Sequence, residues 1–149
     1  MKKVLLLGIC VFSIILLSGC NHPTKNESEI INFSYSYGSM DYAYKYNIEK
    51  KDEKIILTAK GQNAVDLNIK KEINQSDLEQ LAKIINDNGI YEWNGFNKRD
   101  KDIMDGYGFT LEIQYQDGKT LKAEGYMKYP KDYKKHHNTL VKYLKSLYE

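Results

Sequence analysis

The stretch Ile31-Asn32-Phe33-Ser34-Tyr35-Ser36-Tyr37, the turn Gly38-Ser39-Met40-Asp41, and Tyr42-Ala43-Tyr44-Lys45-Tyr46-Asn47-Ile48 alternate large apolar with small or polar side chains. Period two is the signature of a strand with one buried face. An even-numbered loop pairs Tyr37 with Tyr42, Tyr35 with Tyr44, Phe33 with Tyr46 and Ile31 with Ile48. One face then becomes a ladder of aromatics, while the other carries Asn, Ser, Ala and Lys. The middle of that ladder is expected to be core. Its turn-proximal members, Tyr37 and Tyr42, are candidate binding residues at a hairpin tip.

Downstream, Lys54 to Lys60 and Ala64 to Ile73 alternate again. Their apolar residues share a face only if the loop is odd, which a Gly61-Gln62-Asn63 loop with left-handed Asn63 satisfies. Ser76-Asp77-Leu78-Glu79 has the form of a capping box opening a helix, with Leu78, Leu81, Ala82 and Ile85 as its apolar stripe and Gly89 as its left-handed stop. Phe109, Leu111, Ile113 and Tyr115 form a further strand. Asp117-Gly118 suggests a two-residue turn, but that pairs Ile113 with Lys122. A three-residue loop, Gln116-Asp117-Gly118, pairs Ile113 with Leu121 and Leu111 with Ala123 instead. Pro130 is expected to open a last helix carrying Tyr133, His137, Leu140, Leu144 and Leu147. The order ββββ-α-ββ-α implies an α+β fold, an antiparallel sheet built from hairpins with two helices packed on one face.

The chain has 149 residues and opens Met1-Lys2-Lys3, followed by the apolar run Val4 to Leu17. That run is too short to span a bilayer, which takes about 20 residues, and suits a signal-peptide core of about 7–15. Leu17-Ser18-Gly19-Cys20 closes it. These residues resemble the lipobox of bacterial lipoprotein precursors: an aliphatic residue, two small ones, then cysteine. The resemblance implies cleavage between Gly19 and Cys20, with diacylglycerol on the Cys20 thiol and an acyl chain on its new amino group. Two or more chains hold a protein on a membrane where one does so marginally. Residues 1–19 are thus expected to be a signal peptide, 20–29 the lipidated cysteine and a flexible tether, and 30–149 one α+β domain on the extracytoplasmic face of the cell membrane (the outer membrane if the source has one).

Removing Lys2 and Lys3 from the 22 Lys and Arg leaves as many cations as the 20 Asp and Glu. A neutral domain with a single arginine, Arg99, gives no electrostatic case for nucleic acid. Of the two cysteines, Cys10 leaves with the signal and Cys20 is consumed by lipid, so no disulfide or thiolate chemistry remains. His136 and His137 are adjacent and on a helix diverge by about 100°, too far to share a metal. No cofactor is implied. Asp100, Asp102 and Asp105 loosely resemble a calcium loop with one residue inserted, but Lys98, Arg99 and Lys101 cancel their charge, so a solvated loop is expected.

Tyr91, Trp93 and Phe96 flank Asn94-Gly95; Trp93 and Phe96 are candidate binding residues on a loop, and the competing reading tucks the three aromatics under the second hairpin as a satellite cluster. The residues Trp93-Asn94-Gly95-Phe96, Asp105-Gly106, Asp117-Gly118 and Ala123, Gly125 and Pro130 make residues 90–130 similar to small uncharacterised bacterial lipoproteins, with no activity implied. The expected function is a non-enzymatic module that binds an envelope protein, peptide or glycan, of inhibitor or immunity type. The alternative is an envelope hydrolase working with paired carboxylates.

Overall fold

A computed structural model describes residues 24–149. Gly19 and Cys20, with the whole signal segment, lie outside these residues. Seven strands form one sheet: β1 (Ile30–Gly38), β2 (Tyr42–Lys51), β3 (Lys54–Asn63), β4 (Asn68–Ile73), β5 (Asn97–Arg99), β6 (Gly108–Tyr115) and β7 (Thr120–Tyr126). Helix α1 (Gln75–Asp87) and a 3-10 turn, Ile90–Trp93, separate β4 from β5, and α2 (Tyr133–Ser146) ends the fold. The spatial order is β4-β3-β2-β1-β6-β7-β5, which puts the aromatic strand β1 at the centre.

The fold is α+β, as the alternation and the helix stripes require. The sheet is mixed, however. Residues 97–99, inside the expected charged loop, pair parallel with β7 at the edge. Gly95 donates its N–H to the Lys122 carbonyl and Glu124 donates to the Phe96 carbonyl, so the chain leaving α1 is captured by the open edge of β7.

The first hairpin keeps its expected faces but slides by two residues. Tyr37 stands opposite Tyr44, Tyr35 opposite Tyr46, and Phe33 opposite Ile48, rather than the Tyr37–Tyr42 ladder. Extended Gly38, at φ +151°, pairs with Ala43, and the Ser39 N–H reaches the Tyr42 carbonyl to close the turn. A register break between Ile30 and Asn32 then buries Ile30 and leaves Ile31 exposed, the reverse of the expected use of Ile31. A slip of two preserves the face, which is why alternation alone could not detect it.

The β3–β4 connection is also longer than expected. Ala59 pairs with Ile69 and Ile55 with Ile73, so β4 begins at Asn68. Gly61 to Asn63 are still paired to β2, and this extension of the second hairpin displaces the turn. Asn63 is left-handed at φ 59°, as expected. The last hairpin matches its expected register, with Ile113 opposite Leu121, Leu111 opposite Ala123 and Gly118 at φ 82°.

The α1 cap lies two residues before the expected one. Asn74, not Ser76, is the N-cap: its Oδ1 accepts from the Asp77 N–H at 2.9 Å, and the Asp77 carboxylate accepts from the Asn74 N–H at 3.0 Å. Leu78, Leu81, Ile84 and Ile85 are its buried face, and Gly89 is left-handed at φ 69°. Pro130 does not open α2. Its carbonyl accepts from the Tyr133 N–H in a turn, and the helix starts after left-handed Asp132.

The core lies wholly between the helices and one face of the sheet. Phe33, Tyr35, Tyr46, Ile48, Leu57, Leu111 and Ile113 face Leu78, Leu81, Ile85, Leu140 and Leu144, all buried. None of the alternate strand residues (Ser34, Ser36, Lys45, Thr58, Thr110, Glu112, Lys122, Glu124) is buried. Among the described residues, nothing covers that face of the sheet.

Candidate functional site

Rows across that bare face follow from the strand pairings. In one row Lys60, Lys45, Ser36, Thr110, Glu124 and Asn97 stand side by side on six successive strands. The next row reads Gln62, Ala43, Gly38, Gly108, Tyr126 and Arg99. Small residues thus occupy the middle strands, and long polar ones the flanks. The result is a cleft of about 470 Å³ floored by Ser36, Gly38, Gly108 and Thr110. A second cleft of about 560 Å³ continues past Ser34 towards Glu112 and Lys122. Both belong to one polar trough that follows β1.

The floor is held by side-chain bonds. Ser36 Oγ and Thr110 Oγ1 lie 2.6 Å apart, and since one hydroxyl donates to the other, the second proton is left for a ligand. On the far wall Arg99 lies over the Tyr126 ring, 4.8 Å from its centroid. That ring is itself fastened: the Tyr126 hydroxyl accepts from the Gly106 N–H at 2.7 Å and donates to the Met104 carbonyl. A Cβ on Gly108 would come within 3.3 Å of the same ring. Further along, Lys122 pairs with Glu112 at 2.9 Å, which holds the Glu112 carboxyl below its ordinary pKa. Lys45 and Arg99 form no ion pair among the described residues.

The structure distributes the expected site residues differently. Trp93 is 2% exposed and packs on Phe109, Tyr133 and His136, because the 3-10 turn swings it inward; it is core, not a binding residue. Phe96 is half-buried, stacked on Phe109 with the Lys98 ammonium over its ring, and borders the second cleft. Tyr37 is half-buried in the core layer, stacked on Tyr44 and edge-on to His137. Tyr42 is half-buried at the tip against Tyr107. Tyr107, one of the exposed large apolar side chains, accepts at its carbonyl from the hydroxyl of another, Tyr129.

The calcium-like loop closes on itself. Asp100 pairs with Lys128 at 3.0 Å and accepts from the Asp102 N–H, and these bonds lower its pKa. Asp100, Asp102 and Asp105 do not converge, and no cluster of three His, Cys, Asp or Glu capable of holding a metal occurs among the described residues. His137 Nδ1 is bonded to the Tyr35 hydroxyl at 2.6 Å beside the aromatic layer.

Sequence reasoning missed the trough. The alternation marked Ser34, Ser36, Lys45 and Thr110 as the polar face, but Arg99 reaches it only through the parallel edge strand, which no local pattern announces. No helix among the described residues is long and apolar enough to cross a membrane. Comparison with protein-family models, with curated proteins and with solved structures finds no match to the chain.

Proposed function

We propose that the chain is a lipid-anchored envelope protein whose domain binds a partner on its bare sheet face and performs no catalysis. The observation that carries this reading is the trough itself: a polar cleft over the central strand, with its floor bonded and two cations left unpaired. Exposed polar sheet faces need no such arrangement for stability, whereas a binding surface does.

The anchor rests on the lipobox residues Leu17 to Cys20. The attachment side of the domain supports it. Glu29 is fixed by Lys50 and Gln75, its carbonyl accepts from the Gln116 N–H, and the Asn86 side chain donates to the Asn26 carbonyl. Residues 26–29, expected within the tether, are therefore fastened to the domain at the start of β1. Gly38, which lines the trough, lies eight residues beyond Ile30, about 26 Å along the strand. A membrane at the Ile30 end is thus separated from the Gly38 end of the trough by that length of strand.

Two measurements test the reading. Labelled palmitate should enter the wild type and not Cys20→Ser; label in the mutant ends the anchor. Thr110→Trp, at an exposed floor position, should abolish saturable capture of an envelope partner while the thermal melt is unchanged. Capture unaffected by Thr110→Trp, or turnover of a cell-wall or ester substrate lost on one carboxylate substitution, overturns the binding reading.

A further inference from the structure

The cleft brings together the chain's single arginine and an unpaired lysine. Lys45 on β2 and Arg99 on β5 line opposite sides of the same space, and Glu124 is the one carboxylate on its wall. With Lys45 and Arg99 against Glu124 the lining carries more positive than negative charge, although the domain as a whole is neutral. Stacking on Tyr126 fixes the Arg99 guanidinium as a flat fork, and the anchored tyrosine prevents the pair from folding away. Such a fork is matched to the two oxygens of a carboxylate or phosphate.

We infer that this cleft takes an extended acidic peptide, one carboxylate held by Arg99 and another by Lys45; this rests on the binding reading above. Three observations select the class. Lys45 on β2 and Arg99 on β5 stand four strand spacings apart, about 19 Å, so a compact anion such as phosphate meets only one of them, whereas carboxylates spaced along a chain can meet both. The floor hydroxyls Ser36 and Thr110, together with Glu124, offer acceptors and donors to the N–H and C=O groups of a peptide backbone. Sugar-binding clefts use an open aromatic ring, but the Tyr126 ring is covered by Arg99. Alternate side chains of an extended peptide share a face and recur about every 6.6 Å, so a peptide of about six residues laid across the strands can place one acidic residue over each cation.

The test is isothermal titration of the full-length protein, purified in neutral detergent, with hexaglutamate. Hexaglutamine, tripolyphosphate and a galacturonate hexamer serve as the other arms. Hexaglutamate should bind and weaken with added salt. Arg99→Gln and Lys45→Gln should each lower its affinity about ten-fold or more, with Arg99→Lys between wild type and Arg99→Gln and thermal melts unchanged. Tighter binding of tripolyphosphate or galacturonate, absence of hexaglutamate binding, or binding indifferent to Arg99→Gln overturns the peptide assignment. The Thr110→Trp capture experiment judges the binding reading separately, so a partner lost in that variant without hexaglutamate affinity rejects only the ligand class.

Discussion

The Tyr35 hydroxyl and His137 Nδ1 lie 2.6 Å apart and tie the central strand to the last helix, across 102 residues of chain. A neutral imidazole accepting through Nδ1 leaves the Tyr35 oxygen to accept in turn from Tyr133, 3.1 Å away. Tyr46, opposite it on β2, is as deeply buried, yet among the described residues its hydroxyl makes no hydrogen bond of good geometry, although Tyr37 and Tyr148 stack beside it. Two chemically identical changes should therefore have opposite signs. Tyr35→Phe orphans a buried acceptor and is expected to cost about 1–3 kcal/mol, whereas Tyr46→Phe relieves an unsatisfied hydroxyl and should be neutral or stabilising. Urea denaturation of both variants checks this, and equal losses would contradict it.

The same bond makes the domain acid-sensitive. Burial holds the His137 imidazole below its ordinary pKa, and His136 shifts in the same direction, again chiefly through burial. The unfolded chain takes up these protons near pH 6.5, while the folded chain takes them up only at lower pH. Stability is thus full above about pH 6.5 and falls as the pH drops through the folded values. Melting temperature should decline between pH 7.5 and 5.5, and His137→Gln should flatten that decline while lowering stability at pH 7.5. An unchanged slope in His137→Gln would contradict the assignment.

Gly118 sits at φ 82° with no heavy atom within 4 Å of where a Cβ would stand. The cost of Gly118→Ala is therefore backbone strain alone, about 1 kcal/mol. Gly118→Asn should recover part of it, since Asn tolerates the left-handed region. Thermal melts of the two variants that show no loss would contradict the three-residue loop.

Asn74→Ala should cost about 1 kcal/mol, because it removes the side-chain half of the box that starts α1. Ser76→Ala should cost less: its hydroxyl only donates to Asn74 Oδ1 and bonds no backbone group of the helix. Chemical denaturation yielding the reverse order would restore Ser76 as the cap.

The contrast between Asn74 and Ser76 shows where local patterns stop. Ser-x-x-Glu and Asn-x-x-Asp both fit a capping box within two residues of each other, and the end of β4 at Ile73 decides between them. Face parity in the β1–β2, β3–β4 and β6–β7 hairpins follows from alternation, because the wrong parity would bury lysines. Exact register does not: the first hairpin moved by two and the β3–β4 pair by four at no cost in burial pattern. Trp93 left two readings open for a different reason. An aromatic beside Asn-Gly suggests a loop tip, but Gly89 starts a turn that points it into the core. The trough depends on contacts between residues far apart in sequence, such as Ser36 with Thr110 and Arg99 with Tyr126, and only the strand order reveals it.

The most direct test of the account places a photoreactive amino acid at Thr110, on the trough floor, and separately at exposed Lys83 on α1. Irradiation of intact cells should join the Thr110 variant to a discrete partner and leave the Lys83 variant unlinked. Cross-linking from Lys83 alone, or from neither site, would contradict the claim that the bare sheet face is the binding surface.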